Sequence, residues 1–308
     1  MVLSEPADYV GRFAPSPTGP LHFGSLLAAL ASYLEARQHA GQWLLRVEDI
    51  DPPREQDGAA DEIVRALEVY GFEWDGLVSL QSQSALLHQQ ALETLVCLDL
   101  AYACTCSRKD LANERRNELG TVYPGHCRAR KHPQTNDTAI RVRTRAGPIQ
   151  FEDALQGMQS QDLEAESGDF IIRRRDGLMA YQLAVVVDDA AQKVTHVVRG
   201  IDLMNSTPRQ IWLQQLLNLP TPAYAHIPVA VGADGCKLSK LTGAAALPLT
   251  NPERTLFAAL HALRQAPPAE LQTASLQTLW DWAMEHWDLY KLQGMQTLRA
   301  DGIASIPT

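Results

Sequence analysis

The sequence has no long apolar run, few cysteines and no excess of basic residues, and each absence excludes a class of protein. The purest apolar run, Leu183 to Val187, is far shorter than the roughly 18 residues that a membrane-spanning helix needs. The N-terminal stretch contains Glu5 and Asp8 and lacks the basic and then apolar segments of a secretory signal. We therefore expect a cytoplasmic protein without a membrane partner.

The five cysteines and the net charge of −9 argue against further classes of protein. An odd number of cysteines points away from a disulfide framework and towards a metal site or core thiols, and Cys97 and Cys236 fit no ligand pattern. The negative charge argues against a protein that coats nucleic acid through bulk electrostatics, and we expect no DNA partner. One stretch is nevertheless basic, which favours contact with a polyanion over a solvated basic face. Its residues are Arg108, Lys109, Arg115, Arg116, Arg128, Arg130, Lys131, Arg141, Arg143, Arg145, Arg173, Arg174 and Arg175.

The length of 308 residues, with 45% apolar and 20% charged residues, is typical of a globular enzyme of about two domains. A strand over Tyr9 to Ala14, a helix over Phe23 to His39 and a strand over Trp43 to Val47 predict the opening of a parallel α/β sheet. Between about 100 and 178 the pattern changes to short alternating strands and basic residues, which indicates an insertion. From Asn251 onward the pattern predicts a helical tail.

The first segment with a chemical signature covers residues 12–25 and reads RFAPSPTGPLHFGS. It joins the end of the first predicted strand to the first predicted helix, where α/β sheets bind ligands. The helix N-terminus favours an anion there, Gly19 and Gly24 let a ligand approach the backbone, and His22 can donate to a phosphate oxygen. A tight turn with a capping serine is the alternative interpretation.

The second segment follows a glycine-rich turn and is Lys237-Leu238-Ser239-Lys240. Two lysines that flank a serine form a cationic clamp suited to a triphosphate and to the charge that develops as pyrophosphate leaves. The bare pattern is common by chance, so it carries weight only together with the first segment.

In this order and at this separation, the two segments resemble the paired nucleotide-binding motifs of class I aminoacyl-tRNA synthetases. The likeness is closest to the glutamyl branch, whose opening pattern F-x-P-S-P-T-G-x-L-H-x-G matches residues 13–24 almost letter for letter. Further matches lie at residues 46–51, 198–203 and 206–210. The resemblance implies a Rossmann-like parallel-sheet catalytic core that binds ATP, with Mg²⁺ as its partner, although no residue is identified as a magnesium ligand.

The resemblance also implies roles for individual residues. Arg12 and Arg199 would grip the carboxylates of glutamate, because a planar guanidinium donates two parallel hydrogen bonds to a carboxylate but clashes with the NH₂ group of glutamine. Glu48 would pair with the ammonium group and Tyr181 would line the pocket. The implied catalytic residues are His22, Lys237 and Lys240. The implied glutamate pocket comprises Arg12, Phe13, Ala14, Pro15, Ser16, Glu48, Tyr181 and Arg199. The implied ATP site comprises Pro15, Ser16, Thr18, Gly19, His22, Gly24, Ser25, Lys237, Ser239 and Lys240.

The remaining cysteines predict a metal site. Cys104, Cys106 and Cys127 offer three thiolates from two loops, which suits a tetrahedral Zn²⁺ ion that needs one more ligand, although plain core thiols are the alternative. His126 is the chemically ordinary fourth ligand, but as the neighbour of Cys127 it would strain to reach the same ion. The spacing resembles the glutamyl-Q tRNA(Asp) synthetase family, whose three Cys and one Tyr imply Tyr123 as the fourth ligand.

The resemblance to this shortened family sets the expected domains. Residues 1–98 and 179–232 would form the catalytic core, residues 99–178 an inserted zinc-bearing subdomain of the acceptor type, and residues 233–308 the KLSK loop and a short helical C-terminal subdomain. Glutamyl-tRNA synthetases continue into a long anticodon-binding half, and the residues after Leu241 are too few for one, so no anticodon-binding domain is expected. Leu241 also departs from the Ser or Arg common there.

The function that the resemblance implies has two steps. L-Glutamate would be activated with ATP to glutamyl-adenylate without tRNA, and would then pass to the cyclopentene-diol of queuosine in the anticodon loop of tRNA(Asp). Three alternatives stay open: a truncated glutamyl-tRNA synthetase that charges a tRNA 3′ end, a small-molecule ligase or nucleotidyltransferase, and a non-catalytic RNA-binding paralogue.

Overall fold

The computed structural model describes residues 9–135, 137–232 and 245–299. Within these ranges the α-helices are α1 (Phe23–Gln38), α2 (Ala59–Val69), α3 (Ala85–Cys97), α4 (Leu163–Glu166), α5 (Tyr181–Ala191), α6 (Thr207–Leu217), α7 (Pro252–Ala262) and α8 (Leu276–His286). The strands are β1 (Val10–Phe13), β2 (Gln42–Val47), β3 (Ser79–Leu80), β4 (Ala101–Cys104), β5 (Arg116–Asn117), β6 (Gly120–Thr121), β7 (Ala139–Val142), β8 (Ile149–Asp153), β9 (Gly157–Gln161), β10 (Ile171–Arg173), β11 (His196–Gly200), β12 (Ala223–Ile227), β13 (Val229–Val231) and β14 (Thr297–Arg299).

The centre of the fold is parallel β-structure in two parts that meet at β1. Strands β1, β2 and β3 pair in parallel in that order, and so do β11, β12 and β8. Thr195, just before β11, donates its N–H to the Val10 carbonyl over 2.9 Å, so β11 lies along β1. The predicted α/β core is therefore confirmed, and it brings the carboxyl ends of several strands to one edge.

Helices cover both faces of this sheet. Leu45 of β2 belongs to one apolar cluster and Leu44 packs against the other, because alternate strand residues point to opposite faces. The first cluster contains α1 with Trp280 of α8, and the second contains the apolar part of α5. Burial on both sides holds β1 and β2 firmly, and the loops at their ends are correspondingly well positioned.

The segment between α3 and α5 forms a separate sheet and also adds strands to the core sheet. Strands β4, β7 and β10 form an antiparallel sheet of their own, and β5 and β6 form a hairpin. Strands β8 and β9 form a second hairpin, and Asp153 of β8 pairs with Tyr224 of β12 in the core. Part of the predicted insertion at 99–178 thus extends the core sheet. The division into domains remains a proposal.

The C-terminal part is helical through α8 and then differs from the predicted helical tail. Strand β14 pairs in parallel with β13, so that Val229 lies opposite Thr297 and the edge groups of β13 gain backbone partners. Pro228, which has no N–H, separates β12 from β13 inside what the sequence indicates as one strand-like run. In the described part of the chain, none of the helices has the combined length and apolar character needed to span a bilayer.

Candidate active site and metal centre

A cavity of about 640 Å³ opens at the carboxyl ends of β1, β2, β11 and β12. It is lined by every residue predicted for the glutamate pocket: Arg12, Phe13, Ala14, Pro15, Ser16, Glu48, Tyr181 and Arg199. It is also lined by Thr18, His22, Gly24 and Ser25 from the predicted ATP site. Gly19 is outside this lining, and its φ of 126° is a conformation that residues with a side chain rarely adopt. The structure thus brings the predicted residues together, while their roles remain predictions.

One wall of the cavity contains a buried charge network around Asp189. Arg12, which is 4% exposed, donates to Asp189 from Nε over 3.3 Å to Oδ1 and from Nη2 over 3.4 Å to Oδ2. Arg46 donates to Asp189 Oδ1 from Nη2 over 2.7 Å. Burial raises the pKa of Asp189, but the charges of Arg12 and Arg46 outweigh burial and lower it. The sequence prediction missed Asp189, although two adjacent acids inside the apolar helix α5 were a visible signal.

Glu48 follows β2 and lies beside this network. Its Oε1 is 3.5 Å from Arg46 Nη2 and, although buried, accepts no hydrogen bond. Burial raises the pKa of Glu48 to about 7, against the opposing effect of Arg46 and Arg12. Leaving a buried carboxylate oxygen without a donor is costly, so this oxygen favours a cationic ligand in the cavity.

The second predicted carboxylate-binding arginine, Arg199, is 5% exposed and held by several partners. Its Nη2 donates to Thr207 Oγ1 over 2.8 Å and to Gln210 Oε1 over 2.9 Å. Its Nη1 lies 3.4 Å from the hydroxyl of Tyr181. The guanidinium is therefore oriented by the protein before any ligand binds, which is the arrangement that a specific anion site requires.

His22 caps the N-terminus of α1, which the sequence pattern did not show. Its Nδ1 accepts the N–H of Ser25 over 3.2 Å. The proton of the neutral ring therefore sits on Nε2, which is the nitrogen that can donate to a phosphate at the helix N-terminus.

The three predicted cysteine ligands lie together. The sulfur atoms of Cys104, Cys106 and Cys127 are all within 4.8 Å of one another, and those of Cys106 and Cys127 are 3.6 Å apart. A tetrahedral zinc ion with Zn–S bonds of about 2.3 Å holds its sulfur ligands about 3.8 Å apart. The cluster could therefore hold a metal ion of this kind with little rearrangement.

Tyr123 and His126 differ in how they face this cluster. The Tyr123 hydroxyl lies 3.4 Å from Cys104 Sγ and accepts the N–H of Cys127 over 2.9 Å. His126 Nε2 instead lies 2.9 Å from Glu114 Oε1, and the side chain is 44% exposed. The Tyr123 hydroxyl therefore lies beside the thiols and the His126 imidazole does not, while the identity of the fourth ligand remains a prediction.

Two residues that the sequence prediction did not assign also support the cluster. Arg141 donates from Nε to Cys104 Sγ over 3.3 Å, and its guanidinium carbon lies 3.7 Å from the ring centre of Tyr123. A buried positive charge at this position favours the thiolate forms that bind a metal. Gly168 bridges to Tyr123, and a Cβ there would lie 2.0 Å from the Tyr123 carbonyl oxygen.

The members of the basic stretch differ in exposure, and some exposed members, such as Arg115 and Arg175, also donate to backbone carbonyls. Some members have internal partners: Arg128 Nη1 lies 3.0 Å from Asp169 Oδ1, and Arg143 Nη2 lies 2.9 Å from Asp99 Oδ1. The exposed members are Arg108, Lys109, Arg115, Arg116, Arg130, Lys131, Arg145 and Arg175. These exposed side chains, together with Arg174, which lines the cavity, are placed to meet a polyanion.

Comparison with known proteins identifies the family. Residues 9–248 match the family described as tRNA synthetases class I (E and Q), catalytic domain. The chain is 52% identical over 290 residues to the glutamyl-Q tRNA(Asp) synthetase of Ectopseudomonas mendocina (strain ymp), covering 94% of this chain and 97% of that protein. It belongs to the class I tRNA synthetases, among the glutamyl-Q tRNA(Asp) synthetases. The glutamyl-Q tRNA(Asp) synthetase of Aromatoleum aromaticum is 51% identical over 298 residues, which are 96% of this chain and 94% of that protein.

Solved structures show the same class I synthetase fold. A glutamate tRNA ligase from Elizabethkingia meningosepticum matches with a TM-score of 0.78 and 24% identity, over 95% of this chain and 67% of that chain. The glutamate-tRNA synthetase of Elizabethkingia anophelis gives a TM-score of 0.77 at 24% identity, over 95% and 68%. At this identity the likeness concerns the fold alone.

The second nucleotide motif of the family lies outside the described residues, which leaves out Cys236, Lys237, Ser239 and Lys240. The described residues on both sides are anchored at the cavity. On one side Ala230 lines the cavity, and on the other Ala246 bridges to His22 and the Leu247 N–H donates to the Leu21 carbonyl over 2.8 Å.

Proposed function

We propose that this chain activates L-glutamate with ATP to glutamyl-adenylate without tRNA, and then transfers glutamate to the cyclopentene-diol of queuosine in tRNA(Asp). The observation that carries the proposal is 52% identity, across 94% of the chain, to a glutamyl-Q tRNA(Asp) synthetase. Because tRNA is the second substrate, the proposal places the chain in the cytoplasm.

The charges of the cavity support glutamate as the amino acid. Glutamate has two carboxylates and one ammonium group, and the cavity presents Arg12, Arg199 and the orphaned oxygen of Glu48. An ammonium group beside Glu48 would supply the missing donor. A guanidinium held rigidly, as Arg199 is, would reject glutamine because the amide NH₂ group is a donor facing donors.

The activation step needs no covalent intermediate on the protein. An oxygen of the glutamate α-carboxylate attacks the α-phosphorus of ATP in line, and the bond to the leaving pyrophosphate breaks. His22 would donate from Nε2 to a phosphate oxygen, and Lys237 and Lys240 would stabilise the charge on the leaving group. Mg²⁺ would accompany ATP and neutralise part of its phosphate charge.

The cysteine cluster supports a structural zinc ion. Three sulfur atoms within 4.8 Å of one another and the Tyr123 hydroxyl, 3.4 Å from Cys104 Sγ, would provide four ligands, so the shell would be closed and no position would remain for a substrate. None of the four residues lines the cavity, which is also consistent with a structural role. We therefore propose that Zn²⁺ is bound by Cys104, Cys106, Cys127 and Tyr123.

One assay tests both steps. The enzyme, ATP and radiolabelled glutamate are incubated with tRNA(Asp) that contains or lacks queuosine, and ribonuclease fragments locate the label. Label on the anticodon fragment only when queuosine is present is the expected result. Two results would refute transfer to queuosine. One is equal labelling of tRNA whose diols have been oxidised with periodate, and the other is label on the 3′-terminal fragment. Glutamate-dependent pyrophosphate exchange measured without tRNA tests the activation step separately.

A further inference from the structure

A row of three buried polar side chains crosses the core sheet behind the cavity. Arg199 of β11 lies in register with His226 of the neighbouring strand β12. Asp153 ends β8, which pairs with the other side of β12. Asp153 pairs with Tyr224, two residues before His226, so the sheet brings Asp153, His226 and Arg199 close together although they are far apart in the sequence.

The contacts between them are short and shielded from solvent. His226 Nδ1 lies 2.6 Å from Asp153 Oδ2, and Arg199 Nε donates to His226 Nε2 over 3.1 Å. Asp153 is 1% exposed and His226 is fully buried. Asp153 Oδ1 also accepts the N–H groups of Leu155 over 3.1 Å and Gln156 over 3.0 Å. The carboxylate is thus fixed by backbone donors and in turn fixes the imidazole.

These contacts allow only one form of the His226 ring. A guanidinium donates and never accepts, so Nε2 must present its lone pair to Arg199, and the Thr207 hydroxyl, 3.1 Å from the same nitrogen, can then only donate to it. The ring proton must then be on Nδ1, where Asp153 accepts it. Burial lowers the pKa of His226 despite the nearby carboxylate, which agrees with a neutral ring.

We propose that Asp153 and His226 are positioning residues that set the orientation of the Arg199 guanidinium for a carboxylate of the amino-acid substrate. Neither lines the cavity, so both act through Arg199. The inference rests on the proposed function, because it assumes that Arg199 binds a glutamate carboxylate. It adds that selectivity for this carboxylate depends on one histidine tautomer.

Asp153→Asn tests this with an almost unchanged shape. The amide oxygen would keep the hydrogen bonds from Leu155 and Gln156, and the NH₂ group would face His226 Nδ1. That nitrogen must then accept, the ring proton moves to Nε2, and a donor faces the donor of Arg199. We expect the KM for glutamate to rise by about tenfold to hundredfold. The kcat and the KM for ATP should stay within about twofold, because the lost contact stabilises the bound substrate and the transition state equally. Asp281→Asn, on the exposed face of α8, is the matched control and should change nothing.

A pair of His226 variants tests which hydrogen bond matters. In His226→Gln the amide oxygen can reach the position of Nε2 and accept from Arg199, so the KM for glutamate should stay within a few-fold of wild type. In His226→Asn the shorter amide keeps a donor for Asp153 but leaves Arg199 Nε without an acceptor, so the KM should rise as in Asp153→Asn. Equal KM values in the two variants, with equal thermal unfolding midpoints, would overturn the proposal.

A readout independent of activity separates this inference from the proposed function. The ¹⁵N spectrum of histidine-labelled protein should show His226 protonated on Nδ1 in wild type and on Nε2 in Asp153→Asn. If the tautomer changes while the glutamate KM stays at the wild-type value, the positioning role is wrong. If wild type shows the expected tautomer but no glutamate-dependent pyrophosphate exchange, the proposed function is wrong while the hydrogen-bonded row stands.

Discussion

The cavity and the cysteine cluster differ in what holds their polar groups. In the cavity, Arg12 and Arg199 have protein partners such as Asp189 and Thr207, and one oxygen of Glu48 is left over. In the cluster, the thiols and a hydroxyl face mainly one another. The polar groups of the cavity are therefore held by other protein groups, whereas we propose that a bound cation adds to the stability of the cluster. The core should stay folded when no substrate is bound, whereas loss of the metal should destabilise the structure around the cysteine cluster.

The strongest test of this difference is Cys104→Ser. A missing thiolate leaves an incomplete shell, so bound zinc should fall from about one equivalent to near zero by elemental analysis. Because zinc contributes on the order of 10 kcal/mol in small structural sites, the antiparallel sheet of β4, β7 and β10 should lose protection in hydrogen exchange first. Cys97→Ser, at an exposed free thiol, is the control and should retain both metal and protection. Uniform loss of protection across β1 and β2 would contradict the proposed independence of the core.

Lys240→Ala should slow adenylate formation in the cavity and leave glutamate binding nearly unchanged. The proposed contact forms mostly in the transition state, and a lost contact of this kind costs roughly 10²–10³ in rate. Glutamate-dependent pyrophosphate exchange should fall by that factor while the KM for glutamate changes little. Lys291→Ala on the exposed C-terminal part is the control. Exchange within a few-fold of wild type would show that Lys240 does not have the proposed role.

The orphaned carboxylate of Glu48 gives ligand binding in the cavity a pH dependence. Its pKa is about 7, above its ordinary value, so the ligand-free protein should lose unfolding free energy as pH rises from about 4.5 to 7. Binding of an ammonium group needs the ionised form and must expel the proton below pH 7. The KM for glutamate should therefore rise by up to about tenfold per pH unit below 7.

Glu48→Gln separates this effect from other titrations. The amide cannot ionise, so the KM for glutamate should be higher at pH 8 and nearly independent of pH between 5 and 8. A variant that keeps the wild-type slope would mean that another group controls the profile. Glu55→Gln, also at the cavity but not in the buried network, serves as the control.

The features that could be predicted from the sequence depend on residues that lie close together in the chain. The helix expected over Phe23 to His39 is observed over Phe23–Gln38, because its apolar pattern and its stop are set within a few residues. The cysteine cluster was predictable for the same reason, since Cys104 ends β4, Cys106 lies two residues later and Cys127 follows soon after. The family resemblance supplied Arg12 and the rest of the pocket, which no local pattern could have grouped.

The features that were missed depend on pairing between distant segments. Asp153 meets His226 only because β8 lies beside β12, and a strand register of that kind leaves no trace in either segment alone. Strand β14 is only three residues long, so its sequence has no usable periodicity, and it exists because the edge of β13 needs partners. Asp189 is intermediate, since an acid in an apolar helix can be noticed but its partners Arg12 and Arg46 cannot be foreseen.

The smallest expected effect is that of Tyr123→Phe, which tests the unusual ligand of the cluster. The ring keeps its packing under Arg141, and only the oxygen that faces Cys104 is lost. Three thiolates remain and water can take the fourth position, as in zinc sites that keep an open coordination place. We expect the zinc affinity to fall by about tenfold in a chelator competition assay, with the protein still folded. His126→Ala should leave the affinity unchanged, because the imidazole faces Glu114 instead of the thiols. If His126→Ala releases zinc and Tyr123→Phe holds it as wild type does, the fourth ligand is His126, and the loop around Cys127 must turn when the metal binds.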